Sequence, residues 1–277
     1  MPEGVLRQTV DYDSHESLVS ALRGQDFLII ALSVFAAPGT QDKLIAAAKD
    51  AGIQWIMPNE YGTDPAANEE AGRDAKLGPP ALAARKAIAD AGMSYVPLLC
   101  SFWYEFSLAG GEVRYGFDFA KRTVTFIDAG ETNITTSTWP QCGRAVAALL
   151  SLPILPQHEK DTSLTISRFR DKGVFVGSFF VFQMDMLASV PRVTHTKESD
   201  WTITYEDAKT RFHRGNDMWA KGDFMGFAIL LYARMFYPDG AANTQAKLDN
   251  KLLGIPEEDL DEATRAAVEM SKEAAGQ

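Results

Sequence analysis

Two cysteines in 277 residues, Cys100 and Cys142, give no framework for a disulfide scaffold or a zinc cluster, and a reducing, cytosolic setting fits that composition. No apolar run reaches the roughly 20 residues of a membrane-spanning helix. The longest candidate, Phe224 to Phe236, is interrupted by Arg234. The opening stretch MPEGVLRQTVDYD has neither a basic n-region nor an apolar core, so it does not read as a secretory signal. Positive charge is scarce as well: 27 Lys and Arg stand against 37 Asp and Glu, a net charge of -10. Nucleic-acid affinity rests on cations that neutralise phosphates, so direct DNA or RNA binding is not expected. The four histidines, His15, His158, His195 and His213, are scattered, and none has the i, i+4 spacing of a metal-binding face. Neither a G-x-S-x-G elbow nor a P-loop occurs. Also missing is G-x-G-x-x-G or its G-x-x-G-x-x-G variant after a first strand, where glycines let backbone approach a pyrophosphate. The glycines Gly110-Gly111, Gly52 and Gly62 lack that strand-to-helix setting.

What is present is the material of a soluble globular protein, 46% hydrophobic and 23% charged. The centre of the pattern is GIQWIMPNEYGTD, Gly52 to Asp64. A helix from Gln41 to Ala51, with Leu44, Ile45 and Ala48 on one face and Gly52 as its C-cap, feeds a short buried strand, Gln54 to Met57. A Pro-Asn-Glu-Tyr-Gly loop then gathers polar and aromatic groups at the strand's carboxyl end, where open α/β sheets hold ligands. An ordinary turn accounts for the same residues equally well.

Strand and helix alternate around this centre. Val5 to Tyr12 reads as a strand, His15 to Arg23 as a helix capped by Asp13 or Ser14, and the apolar run Phe27 to Ser33 as an interior parallel strand. Pro79 and Pro80 open a helix that runs to Ala91, and Ser94 to Cys100 is the next strand, weakened by Pro97. This rhythm predicts a doubly wound parallel sheet over residues 1–155. Beyond it come two strand pieces in Glu112 to Asp128, a helix at Trp139 to Leu150, and strands at Leu164 to Phe169, Val174 to Phe180 and Trp201 to Tyr205. A mostly helical remainder follows, so residues 156–277 are expected to form a smaller α+β lobe. Within that remainder Phe224, Phe227, Leu231 and Met235 form a helical stripe that reads as core. SFWYEFSL, Ser101 to Leu108, sets aromatics and a carboxylate after a strand, where they can stack on a ligand or seal an interface. Cys142 reads as a small buried hydrophobe.

Several stretches together resemble the NmrA-like and isoflavone-reductase-like group of atypical short-chain dehydrogenases, common in filamentous fungi. They are PEGV with VDYD, SHESLVSALRGQDFLIIALS, WIMPNEYGTD, ARKAIADAGMSYV, SFWYEFSL and TSTWPQCGRAVAALLSLP. The resemblance implies a Rossmann-like doubly wound sheet, NADP or NAD as cofactor and a small, aromatic or secondary-metabolite substrate. It also implies that this chain starts after the family's glycine-rich β-α-β unit, an N-terminally incomplete sheet. Ser33, Val34, Phe35, Pro58, Asn59, Glu60 and Tyr61 then face the dinucleotide, with Ser101 and Phe102 toward the nicotinamide and Trp103, Tyr104 and Tyr115 toward substrate. The family's catalytic lysine falls on Ala81 here, with Lys76 five residues earlier and Lys86 five later; a loop shift would bring in Lys76, which with Tyr61 is the catalytic candidate that the resemblance implies. The NmrA branch implies a second reading, a cytoplasmic or nuclear regulator that senses NAD(P) and contacts a protein partner without turnover. A truncated homologue that binds no dinucleotide is the third.

Overall fold

The computed structural model describes residues 4–33 and 36–275 and divides into two compact units that are interleaved in sequence. One is made of Met1–Glu60, Pro79–Pro97 and Ile154–Val174, the other of Tyr61–Gly78, Leu98–Pro153 and Phe175–Gln277, in place of a single boundary near residue 155.

The first unit is a three-stranded parallel sheet with helices. Its strands are β1 (Phe27–Ile29), β2 (Trp55–Met57) and β3 (Ser94–Tyr95), in the order β1-β2-β3. Helix α1 (His15–Leu22) begins at Ser14, whose side chain accepts the Ser17 N–H, and α2 (Thr40–Ala51) ends at Gly52 with φ 86°. That left-handed conformation suits a residue without a Cβ, as the sequence anticipates. Helix α4 (Gly78–Asp90) leads into β3. Ile30, Ile45, Ala48, Ile53, Ile56, Ala84, Ile88 and Met93 form the core. All of β2 is buried, the signature of a strand covered on both faces.

Three expectations fail here. Val5–Tyr12 is not a strand: residues 5–9 are exposed, and a strand without a neighbour to take its hydrogen bonds has little to hold it. Phe27 to Ser33 shrinks to three residues, and β1 lies at the end of its sheet with Ile29 37% exposed. Leu164 to Phe169 holds a 3-10 turn, Ile166–Phe169, in place of a strand. The weakness seen at Pro97 is real: β3 stops at Tyr95 and a new two-residue strand, β4 (Leu98–Leu99), starts after it, because proline has no N–H for a ladder.

The second unit holds two three-stranded mixed sheets. The order β10-β8-β5 joins Phe179–Val181, Ile134–Ser137 and Phe102–Trp103; β11-β7-β6 joins Thr202–Glu206, Thr123–Ile127 and Phe117–Asp118. The short strand β9 (Val174–Phe175) lies where the chain passes into this unit. Helices α3 (Glu69–Asp74), α5 (Tyr104–Ala109), α6 (Trp139–Leu150), α7 (Gln183–Thr194), α8 (Ala208–Ala220), α9 (Met225–Met235) and α10 (Leu260–Ala275) complete it. Helix α6 is capped by Thr138, with Pro140 in the first turn where its missing N–H costs nothing. Helices α8 and α9 pack backbone to backbone: a Cβ on Gly215 would lie 2.5 Å from Leu230 N, and one on Gly226 2.4 Å from Trp219 N. The expected core stripe on α9 holds at Met235, which is buried, and fails at Phe224, which is 72% exposed beyond the helix start.

Two arginines are sunk in this unit. Arg211 is wholly buried and bridges Glu206 (2.5 Å) and Glu112 (3.2 Å); Arg234 bridges Asp74 (2.7 Å) and Asp239 (2.8 Å). Guanidinium suits such positions because its fork of donors is satisfied by several acceptors at once.

Candidate functional site

In the first unit the candidate residues collect where β1 and β2 end. The Ile30 N–H continues the ladder to the Met57 carbonyl at 2.9 Å, and the Leu32 N–H then donates to the Asn59 side-chain oxygen at 3.0 Å. Asn59 thus ties the two strand tips together, while its own N–H donates to Gln41 Oε1 in the first turn of α2, at 2.7 Å. Pro58 is buried, Asn59 exposed, and Ser33 exposed in the loop after β1. Val34 and Phe35 lie outside the described residues.

Glu60 is buried, and Arg85 from α4 grips it with both ends of the guanidinium: Nε donates to Oε2 at 3.0 Å and Nη2 to Oε1. The two side chains are only 6% and 10% exposed. Fork-to-fork geometry of this kind fixes both partners. Nothing in the sequence marks Arg85, since a lone arginine 25 positions from its carboxylate leaves no local signal.

In the second unit, the Ser101 N–H donates to the Gly62 carbonyl at 3.0 Å, so the loop after Tyr61 meets the corner before β5. Ser101 has φ 56°, uncommon for a residue with a side chain, and its buried hydroxyl has no partner among the described residues. Phe102 is buried and stacks on Tyr232, centroids 4.4 Å apart. Trp103 is half-buried and makes edge contacts with Phe106 (5.8 Å) and Trp139 (6.1 Å). Trp139 is 45% exposed, so this aromatic cluster reaches the surface.

Tyr104 and Tyr115 are placed differently from the expectation. Both are wholly buried with their hydroxyls engaged, Tyr104 with Thr264 at 2.8 Å and Tyr115 with Thr136 at 3.1 Å. Burial holds both phenols well above their usual range. Tyr61 is half-buried, and burial, together with the nearby Cys100, pushes its phenol up to about 12. A phenol held that high is protonated near neutral pH. Lys76 is exposed just past α3, at φ 62°.

Glu105 is buried and accepts the Trp139 N–H at 3.0 Å, which places a carboxylate on the N-terminus of α6; burial raises its pKa. Cys142, in that same first turn, is half-buried, and Cys100 is fully buried. Among the described residues no cluster of three or more His, Cys, Asp or Glu could hold a metal ion.

The chain matches no family model. A curated relative, the oxidoreductase aprR of Aspergillus flavus, is 23% identical over 261 residues, spanning 91% of this chain and 80% of its own. Among solved structures, AtPrR2 with NADP+ and (+)-pinoresinol superposes with a TM-score of 0.70 at 20% identity, over 92% of this chain and 79% of that one. Isoflavone reductase gives 0.69 at 18% identity, over 94% and 80%. A structure from work on pinoresinol-lariciresinol and phenylcoumaran benzylic ether reductases gives 0.72 at 17% identity, over 92% and 80%. The chain has the Rossmann-like fold of the isoflavone-reductase and pinoresinol-reductase structures.

Proposed function

We propose that this protein is an NADP(H)-dependent reductase of a small aromatic substrate. The observation that carries the reading is the superposition, along 92% of the chain, on a reductase-fold structure holding NADP+ and (+)-pinoresinol. The residues fit such a cofactor: Ser101 offers a buried hydroxyl in need of a partner, and Asn59 stands exposed at a strand tip, where α/β folds hold dinucleotides. In the first unit the proposed cofactor contacts are Ser33, Pro58, Asn59 and Glu60. In the second they are Tyr61, Ser101 and Phe102, with Trp103 presented to an aromatic ring. When bound, the nicotinamide supplies the hydride. Tyr61 and Lys76 are the proposed proton donors, Tyr61 as a neutral phenol. Tyr104 and Tyr115 act from the interior, by supporting Phe102 and the strands around it.

Calorimetry with NADPH and with NAD+ tests the cofactor, and no heat with either overturns the proposal. Following NADPH absorbance with a panel of aromatic enones and ketones then tests turnover. Ala81, where the resembled reductases have their lysine, favours a second reading, a dinucleotide sensor that contacts a protein partner; binding without turnover across the panel selects it. Either role suits a cytoplasmic protein, and among the described residues no helix is long and apolar enough to cross a membrane.

A further inference from the structure

The glycine pair Gly110–Gly111 and the arginine that follows it, all in the second unit, have no part in the site described so far. Helix α5 ends at Gly110, and Gly111, at φ 76°, turns the chain so that the Arg114 and Gly116 N–H groups both donate to its carbonyl, at 3.2 and 3.3 Å. The turn sends Arg114 back over its own helix. Its guanidinium lies 3.5 Å from the centroid of the Phe106 ring, and Nη1 donates to the Phe106 carbonyl. The side chain takes the room that Gly110 leaves: a Cβ there would collide with Arg114 Cδ and lie 2.5 Å from Nε and 2.6 Å from Nη1. Phe106 belongs in turn to a triangle of rings, 5.8 Å from Trp103 and 5.9 Å from Trp139, with Trp103 and Trp139 6.1 Å apart.

Arg114 is half-buried, yet among the described residues no carboxylate pairs with it: Glu105 accepts the Trp139 N–H, and Glu112 pairs with Arg211 and Arg214. Burial lowers its pKa, as expected of a cation that has lost water without gaining a counter-charge. Nε and Nη2 make no hydrogen bond among the described residues, and neither is sealed from solvent. A guanidinium held over a ring thus keeps donors free for a planar acceptor, the geometry that carboxylates fit. We propose that Arg114 and the rings of Trp103, Phe106 and Trp139 form a subsite for an aromatic carboxylate, which rests on the reductase reading for the ligand's role as substrate. The carboxylate takes the free donors of Arg114, and the aryl group lies against Trp103 and Trp139, the latter 45% exposed. One guanidinium balances one negative charge, which suits a carboxylate over a doubly charged phosphate.

Titration calorimetry on the full chain, with and without NADP+ in the cell, compares cinnamate with methyl cinnamate. The acid should bind at least about tenfold tighter than the ester, since hydrogen bonds to a charged group are worth more than neutral ones. Arg114→Gln should remove that preference and leave the ester's affinity unchanged. Gly110→Ala keeps the charge in the chain but denies the guanidinium its seat, and should lower the preference as well; φ −78° at this position tolerates a side chain, so the fold is kept. Trp139→Ala should weaken both probes. No binding of cinnamate in either condition, equal affinity for acid and ester, or a preference that survives either Arg114→Gln or Gly110→Ala would overturn the proposal. The reductase reading fails on a separate readout, the absence of heat with NADPH and NAD+. A cinnamate preference without dinucleotide binding leaves the subsite standing, whereas dinucleotide binding without the preference strikes the subsite alone.

Discussion

Replacing Glu60 by Gln probes the clamp that holds the loop after β2. The substitution keeps the shape of the side chain and removes its charge, leaving the Arg85 guanidinium, 10% exposed, facing a neutral amide. Breaking one side of a buried ion pair costs about 3 to 5 kcal/mol, because the remaining charge cannot recover its hydration. Exposed pairs are worth at most about 1 kcal/mol, so the two situations are separable. At this chain length each kcal/mol moves the melting midpoint by about 2 to 4 °C, which predicts a fall of roughly 10 °C. Trp55, 3% exposed in β2 of the same unit, is a built-in fluorescence reporter for urea and thermal unfolding. Replacing both partners, Glu60→Met with Arg85→Met, should cost less than Glu60→Gln alone, since the guanidinium is then no longer buried beside a neutral amide. A Glu60→Gln loss under about 0.5 kcal/mol, or strictly additive single and double changes, would refute the claim that the pair is a buried clamp.

The glycine seam of α8 and α9 makes a sharper steric prediction. Gly226→Ala drives a methyl to 2.4 Å from Trp219 N, and because backbone cannot step aside, the helix pair must separate, at a cost of about 1 to 3 kcal/mol by chemical denaturation. The Arg192–Asp261 pair gives a pH signature. Arg192 and Ser189 hydrogen-bond to the Asp261 carboxylate and lower its pKa from 3.8 to about 2. A carboxylate depressed on folding stabilises above its unfolded value and loses that contribution as pH falls through the folded one. Asp261→Asn should therefore flatten the stability profile between about pH 4 and pH 2 and leave its shape near neutrality unchanged, as acid denaturation curves of the two proteins would show.

Helices were the legible part of this fold because their signals are local. Gly52 closes α2, Thr138 with Pro140 opens α6, and the apolar face of α2 packs as its spacing implies. Strand extents were less legible, since a strand exists only through its neighbours. Val5–Tyr12 has suitable residues and, among the described residues, no partner strand, and the apolar run from Phe27 yields three ladder residues. The loop from Pro58 to Tyr61 was visible as a strand tip rich in polar groups. What fixes it was not, because Gln41 and Arg85 reach it from 18 and 25 positions away. Phe102, Tyr104 and Tyr115 illustrate a further limit: aromatics after a strand look alike in sequence whether they face a ligand or fill a core, and here all three are buried.

The placement of β1 bears on how the protein behaves in concentrated solution. Among the described residues its outer row of amides and carbonyls faces no neighbouring strand, a template on which a second molecule can dock and begin a chain of associations. With only three residues on offer, such docking is held by few bonds, and a net charge of -10 drives molecules apart before they meet. That repulsion reaches about 30 Å in dilute buffer and only about 3 Å in molar salt. Added salt is therefore expected to lower the barrier to association along this edge.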